Sequence, residues 1–157
     1  MTTPLAPEKI GKYTISREIG RGATSRVLLA HDPFAARDVA IKLVQADTGM
    51  DAEMRRRFEK VFLNEASLAG QLVHPHIIAI YDADVAEDYR YIVMEYVNGS
   101  TLEPYCRPDN LLPVADVVET AFKCALALDF SHRKGIIHRD IKPANIMIGP
   151  DRETKVT

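Results

Sequence analysis

Polar and apolar residues alternate with a period near two through Tyr13–Ile19, where Tyr13 and Ile15 take turns with polar neighbours, and a β-rich run follows at Arg26–His31. A third run, Asp38–Gln45, is set off from the second by Asp32-Pro33, a strong turn signal. The period then lengthens. Met54, Phe58, Val61, Phe62, Leu68, Ala69 and Leu72 recur at helical spacings and predict one amphipathic helix over 51–72. Strand character returns at Ile77–Tyr81 and at Tyr89–Val97, the latter apolar on both faces, as a central strand would be. Asn98-Gly99-Ser100 breaks the pattern like a linker. Beyond it, Val114, Val117, Val118, Ala121, Phe122, Ala125 and Leu126 mark a second amphipathic helix, with Pro113 at its start and Gly135 just past its end. Two short extended pieces follow, Ile146–Ile148 and Lys155–Thr157.

These elements predict an α+β fold: a small antiparallel sheet with one long helix, then the beginning of a mainly helical part. The expected organisation is a flexible leader over 1–11, a sheet-rich lobe over 12–97 and a helical portion over 98–157. A crevice at such a junction is where a ligand is expected.

Composition narrows the class. The 157 residues are 46% hydrophobic and 27% charged, values of a globular chain with a substantial core. A net charge of −2 gives no basis for nucleic-acid binding, and no stretch approaches a membrane span. The start of the chain lacks an apolar secretory region, and the two cysteines, Cys106 and Cys124, form no metal-type pair. His74 and His76 flank a proline turn without other ligand types beside them. The segment is therefore expected to be cytoplasmic, without structural metal or disulfide; a membrane anchor further along a longer protein stays open.

Three places carry candidate chemistry. Gly20-Arg21-Gly22-Ala23-Thr24-Ser25 lies between two strands, where glycines let backbone amides approach phosphate oxygens; a plain hairpin turn has the same composition. A dinucleotide-binding turn would need these glycines to open a helix, and they open a strand instead. Val39-Ala40-Ile41-Lys42 puts a lysine in an apolar strand, either snorkelling to solvent or meeting a carboxylate. Glu65 lies on the apolar stripe of the first helix, where an unpaired charge would cost several kcal/mol, so Lys42 is its expected partner. Finally, His138-Arg139-Asp140-Ile141-Lys142-Pro143-Ala144-Asn145 gathers an acid, a cation and an amide directly after the second helix. Phosphoryl transfer requires that set: Asp140 beside an attacking hydroxyl, Lys142 against the moving phosphoryl, and Asn145 as an oxygen ligand for Mg²⁺. The basic run Arg55-Arg56-Arg57 with Lys60 is expected to be a solvated helix face balanced by Glu53 and Glu59, with a docking surface as the alternative.

In this order the motifs resemble those of serine/threonine protein kinases of the bacterial, eukaryotic-like (Hanks) type, from about residue 11 onward. The resemblance implies a kinase-like α+β fold and transfer of the ATP γ-phosphoryl to Ser or Thr hydroxyls of protein substrates, with Mg²⁺ (or Mn²⁺) as cofactor. It further implies that Ile19 to Val27 forms the glycine-rich loop, with Ser25 in place of the third glycine. Lys42 and Glu65 would be the strand lysine and its helix partner, and Met94 the gatekeeper. Glu95 to Val97 would be the hinge, and Val27, Ala40 and Met147 would hold the adenine ring. Lys142-Pro143-Ala144-Asn145 resembles the Ser/Thr-specific version of the catalytic loop. Partners implied are Ser/Thr-bearing protein substrates and a kinase–kinase dimer, with no nucleic acid. Family members continue into Asp-Phe-Gly after a strand like Lys155-Val156-Thr157, so the 157 residues alone are expected to be nearly inactive. The alternative is a regulatory or pseudokinase segment that binds nucleotide or a partner, although nothing in the catalytic loop is dismantled.

Overall fold

The period-two runs fold as strands of one antiparallel sheet, and their alternation decides which face is buried. The structure, a computed structural model, describes residues 8–22, 24–45, 49–86 and 89–157. The chain divides into two units, one running up to Gly70 and including Ile80–Tyr96, the other formed by Gln71–Ala79 and Val97–Thr157.

In the first unit, β1 (Lys9–Ile10), β2 (Tyr13–Arg21), β3 (Ser25–Asp32), β4 (Arg37–Gln45), β5 (Ile80–Val85) and β6 (Tyr89–Glu95) form a six-stranded sheet of order β1-β2-β3-β4-β6-β5. Register sets Leu28 opposite Ile41 and Ile41 opposite Val93, and all three are fully buried, as are Ile10, Ala30 and Val39. Each large aliphatic side chain so buried contributes on the order of 2 kcal/mol. The alternate residues Val27, Leu29, Ala40, Lys42, Ile92 and Met94 form the other face. Of the leader expected over 1–11, the described end is folded: Lys9 and Ile10 pair with Thr14 and Tyr13.

Helix α1 (Ala52–Gly70) begins where Asp51 Oδ1 accepts the Met54 N–H at 2.8 Å, an N-cap worth about 1 kcal/mol. It packs chiefly along β5, and Ala66 is its buried residue. Met54, Phe58, Val61 and Leu68 stay about half exposed. Of the predicted apolar stripe, Phe62 and Ala69 are half-buried and Leu72 is buried, while the rest faces outward, because contact with an edge strand needs only a narrow seam.

The second unit holds helix α2 (Val114–Arg133) against a three-stranded sheet of β7 (Ser100–Thr101), β8 (Ile146–Ile148) and β9 (Thr154–Val156). Its core is Cys124, Ala127, Ile146 and Val156, joined by Ile77, Leu102 and Ile148. Here, too, the expected stripe faces outward: α2 buries Thr120, Cys124, Ala127 and Ser131, while Val114, Val117, Val118 and Phe122 are exposed. Small side chains let β9 approach the helix closely, which the larger ones would prevent. Residues 71–79 belong to this unit. The Ile78 N–H donates to Val156 O at 2.9 Å, and the Val156 N–H to His76 O at 2.9 Å. The strand expected over 77–81 is thus split, with Ile77 bridging Val156 and β5 starting at Ile80.

Candidate active site

In the first unit, the candidate phosphate loop is the β2–β3 hairpin. The Gly22 N–H donates to Ser25 O at 2.7 Å, and a bulge between Glu18 and Gly20 leaves Ile19 without a register partner. Arg21 and Arg26 sit opposite each other, a like-charge pair that Glu18 neutralises. Arg21 reaches Glu18 with Nε at 2.7 Å and Nη2 at 2.9 Å, and Arg26 Nε reaches it at 2.7 Å. The Arg21 hydrogen bonds, then those of Arg26, hold the Glu18 carboxyl below the usual carboxylate range. Thr24 is exposed at the tip, and Ala23 lies outside the described residues.

Gly20 stands opposite Val27, Val27 opposite Lys42, Lys42 opposite Ile92, and Ala40 opposite Met94. One face of the sheet thus brings Gly20, Val27, Ala40, Lys42 and Met94 together. Glu65 does not join them. Both Lys42 and Glu65 are exposed, and among the described residues no ion pair or hydrogen bond links them. The burial that would have demanded a counter-charge for Glu65 is not present. Glu95 ends β6, and Val97, at 6% exposure, belongs to the second unit.

In the second unit, α2 ends in a Schellman turn. The Gly135 N–H donates to His132 O and the Ile136 N–H to Ser131 O, both at 2.9 Å, with Gly135 at φ +75°. The loop that follows is drawn together by its own polar groups. Lys142 Nζ lies 2.8 Å from Asp140 Oδ2. Asn145 Nδ2 donates to the same Oδ2 at 2.8 Å and to Asp140 O at 2.9 Å. The Lys142 hydrogen bond first, and Asn145 with it, hold the Asp140 carboxyl below its ordinary value, so it is ionised throughout the neutral range. With Nδ2 committed to Asp140, Asn145 Oδ1 is left as a hard oxygen of the kind Mg²⁺ takes.

His138 fixes the same loop, a role its place in the sequence did not suggest. Its Nδ1 accepts the Asp140 N–H at 3.2 Å, so Nε2 carries the proton donated to Thr157 O at 2.8 Å. Arg139, between the two, takes a left-handed φ of +66°, a conformation kept only where the surroundings over-determine it. Met147 lies in β8, opposite Thr101 and Lys155. Among the described residues no cluster of His, Cys, Asp or Glu has metal-site geometry, and no helix is long and apolar enough to cross a membrane.

Residues 13–157 match the family described as the protein kinase domain. The chain is 42% identical, over 99% of its length, to the serine/threonine-protein kinase PknB of Mycobacterium leprae. It is 41% identical, over 94% of its length, to the serine/threonine-protein kinase PrkC of Bacillus subtilis. These matches span 25% and 22% of those relatives, so the chain corresponds to about a quarter of each. Among solved structures, a point mutant of the PknI kinase domain of Mycobacterium tuberculosis superposes with a TM-score of 0.81 at 30% identity, covering 98% of this chain and 62% of that one. The match over residues 13–157 shows that the chain belongs to the protein kinase domain family.

Proposed function

We propose that this chain supplies the nucleotide-binding and catalytic-loop residues of a protein serine/threonine kinase, which moves the γ-phosphoryl of ATP to a Ser or Thr hydroxyl of a protein substrate. The observation that carries the proposal is the Asp140 carboxylate held at once by Lys142 and Asn145. The substrate hydroxyl donates its hydrogen bond to Asp140, its oxygen forms the new bond to the γ-phosphorus, and the bond to the β,γ-bridging oxygen breaks, releasing ADP. The hydroxyl proton passes to the Asp140 carboxylate. Asp140 is a weak base because its pKa is depressed, so its main contribution is to orient the nucleophile. Lys142 offsets charge on the transferring group.

Gly20, Gly22 and the amides around them face the phosphates in this proposal, and Lys42 reaches their oxygens. Val27, Ala40 and Met147 enclose the adenine, with Met94 at the back and the Glu95–Val97 backbone along its edge. Mg²⁺, or Mn²⁺ in its place, neutralises the phosphates when bound, and Asn145 Oδ1 is the assigned ligand. Because Asn145 is the one metal ligand assigned within these residues, the 157-residue chain tested alone turns over little.

The test is ATP- and Mg²⁺-dependent transfer of labelled phosphate to Ser/Thr peptides by the full natural protein that contains this segment. Asp140→Asn is expected to lower kcat at least about 10²-fold with little change in the KM for ATP. Equal kcat for the variant would overturn the role given to Asp140. The separation of Lys42 from Glu65 favours a second possibility, nucleotide binding without turnover. ATP binding that persists with no transfer in the full natural protein would select it.

A further inference from the structure

The turn that joins β8 to β9 goes against local preference. The Glu153 N–H donates to Pro150 O at 3.0 Å, and both residues between them take positive φ, Asp151 at +53° and Arg152 at +59°. That is the arrangement of a type I′ turn, which favours Asn or Asp first and Gly second. Asp151 suits its place. Arg152 stands where glycine is expected, and a long side chain keeps that conformation only where its surroundings over-determine it.

Those surroundings are helix α2, and the hold runs both ways. From the helix, Lys123, with 18% of its side chain exposed, donates from Nζ to Arg152 O at 2.7 Å and pairs with Glu119 Oε1 at 2.6 Å. From the turn, Arg152 Nη1 donates to Glu119 Oε2 at 3.4 Å. Its Nη2 lies 3.1 Å from Asp116 Oδ1, an ion-pair distance whose geometry leaves that buried oxygen without a hydrogen bond. The Lys123 hydrogen bond first, then that of Arg152, hold the Glu119 carboxyl below the usual carboxylate range. Thr154 Oγ1 adds a donor to the same Arg152 carbonyl at 3.3 Å. Asp116, Glu119 and Lys123 are three and four positions apart, so one helix face carries the whole clasp.

The clasp lies at the closed end of the hairpin, and the Asp140–Asn145 loop at its open end. Asn145 directly precedes β8 and Thr157 directly follows β9; the Thr157 N–H donates to Asn145 O at 3.0 Å, and Thr157 O accepts from His138 at 2.8 Å. Helix α2 enters the same loop from the other side, through its Schellman turn. The loop is thus strung between two rails, α2 and the hairpin. Near the open end the rails touch through Cys124 and Ala127 against Ile146 and Val156. Such a contact between small groups leaves the angle between helix and hairpin free to vary, and a second attachment at the far end removes that freedom. Exposed ion pairs add little stability, so the worth of the clasp is geometric.

We propose that Lys123 and Arg152 are positioning residues for phosphoryl transfer: by tying the tip of the β8–β9 hairpin to α2, they hold Asn145 and the Thr157–His138 link in register with Asp140. This inference rests on the roles proposed above for Asp140 and Asn145.

The experiment is steady-state kinetics with hydrogen exchange on the full natural protein and its Arg152→Gly, Arg152→Lys and Lys123→Met variants. Arg152→Gly decides most, because glycine relaxes the turn while removing the tie, so its melting temperature should equal or exceed that of the wild type. Its kcat is expected to fall at least about fivefold with the KM for ATP within about twofold, and its Thr157 amide to exchange at least about threefold faster. Lys123→Met should give the same pattern, and it replaces Arg152→Gly should the latter fail to fold. Arg152→Lys keeps a cation for the two carboxylates and should retain at least about half of the wild-type kcat. A merely structural tie would lower the melting temperature and leave the kcat of the folded protein alone. An unchanged kcat in Arg152→Gly therefore overturns the positioning role, as does a loss of kcat with unchanged Thr157 exchange. If the wild type itself transfers no phosphate, the function proposed for Asp140 fails separately. Thr157 exchange then decides the clasp: faster exchange in Arg152→Gly upholds it, and equal rates overturn it.

Discussion

Gly99 is held by contacts that a sequence pattern cannot register. Its N–H donates to Val97 O at 2.9 Å, folding the chain back just before β7. A Cβ built on it would overlap the Ile148 carbonyl oxygen and come within 2.8 Å of Gly149 Cα. Both obstacles are backbone, so neither can rotate away, and overpacking against backbone is the costly kind. Gly99→Ala is therefore expected to destabilise the second unit by about 2 kcal/mol or more. A urea denaturation midpoint within error of the wild type would refute this. In the sequence Asn98-Gly99-Ser100 shows only a break in periodicity. The close approach arises from the pairing of β7 with β8, which joins residues far apart in the chain, Ser100 with Ile148. The Asp140–Asn145 loop was more legible because Asp140, Lys142 and Asn145 meet within five positions, a distance the sequence itself encodes. The part played by His138 was not, since its second hydrogen bond reaches forward to Thr157.

Among the elements, the β3–β4 hairpin has a titratable anchor. Asp32 ends β3 at 4% exposure, and its Oδ1 accepts the N–H of Phe34 at 3.0 Å and of Ala35 at 3.3 Å, while Lys12 Nζ lies 3.3 Å from Oδ2. Burial by itself would raise the carboxyl pKa; the two backbone donors and Lys12 outweigh it and hold the value below the ordinary one. A depressed folded-state pKa means that the unfolded chain takes up the proton first. The stabilisation is complete above the unfolded value, near about 4, and is lost as pH falls through the folded value. Asp32→Asn keeps an acceptor for the turn but gives up the charge. Its melting temperature should lie below the wild type at pH 7, and the gap should close as the pH drops below about 4. A gap that stays constant with pH would show that the charge is irrelevant. Element positions were largely readable, because strand alternation and the Pro113 and Gly135 signals are local. Which helix face is buried was legible only in part, through Phe62, Ala69 and Leu72. Both apolar stripes were right as patterns, yet α1 meets an edge strand and α2 meets β9 through small residues, choices set by neighbours distant in sequence. Glu65 inherited the same error, since its expected burial rested on the stripe.

For the molecule as a whole, the two units have very unequal cores. In the first, Ile10, Leu28, Ala30, Val39, Ile41 and Val93 are each fully buried, and the sheet ties strands from β1 to β6 into one network. In the second, Ala127 alone is fully buried among the described hydrophobic residues, with Cys124, Ile146 and Val156 between 4% and 8% exposed. At on the order of 2 kcal/mol per large buried aliphatic side chain, the first core is the deeper by several such residues. Stability is local in such a case, and the shallower unit opens first. Hydrogen exchange of the 157-residue chain should therefore release the amides of α2, β8 and β9 before those of β3 and β4, with the sheet amides at least about tenfold more protected. Exchange at a common rate in both sets would mean one cooperative unit and would overturn the prediction. The order of opening bears on the chemistry. The Asp140–Lys142–Asn145 arrangement belongs to the shallower unit, and its ion pair is exposed at 61% and 52% on the two sides. A pair that open contributes little to holding its surroundings. Its geometry is therefore inherited from the Schellman turn before it and from β8 and β9 after it. A change that loosens those elements, Gly99→Ala among them, should disturb the Asp140–Asn145 loop before it disturbs the hairpin of β2 and β3.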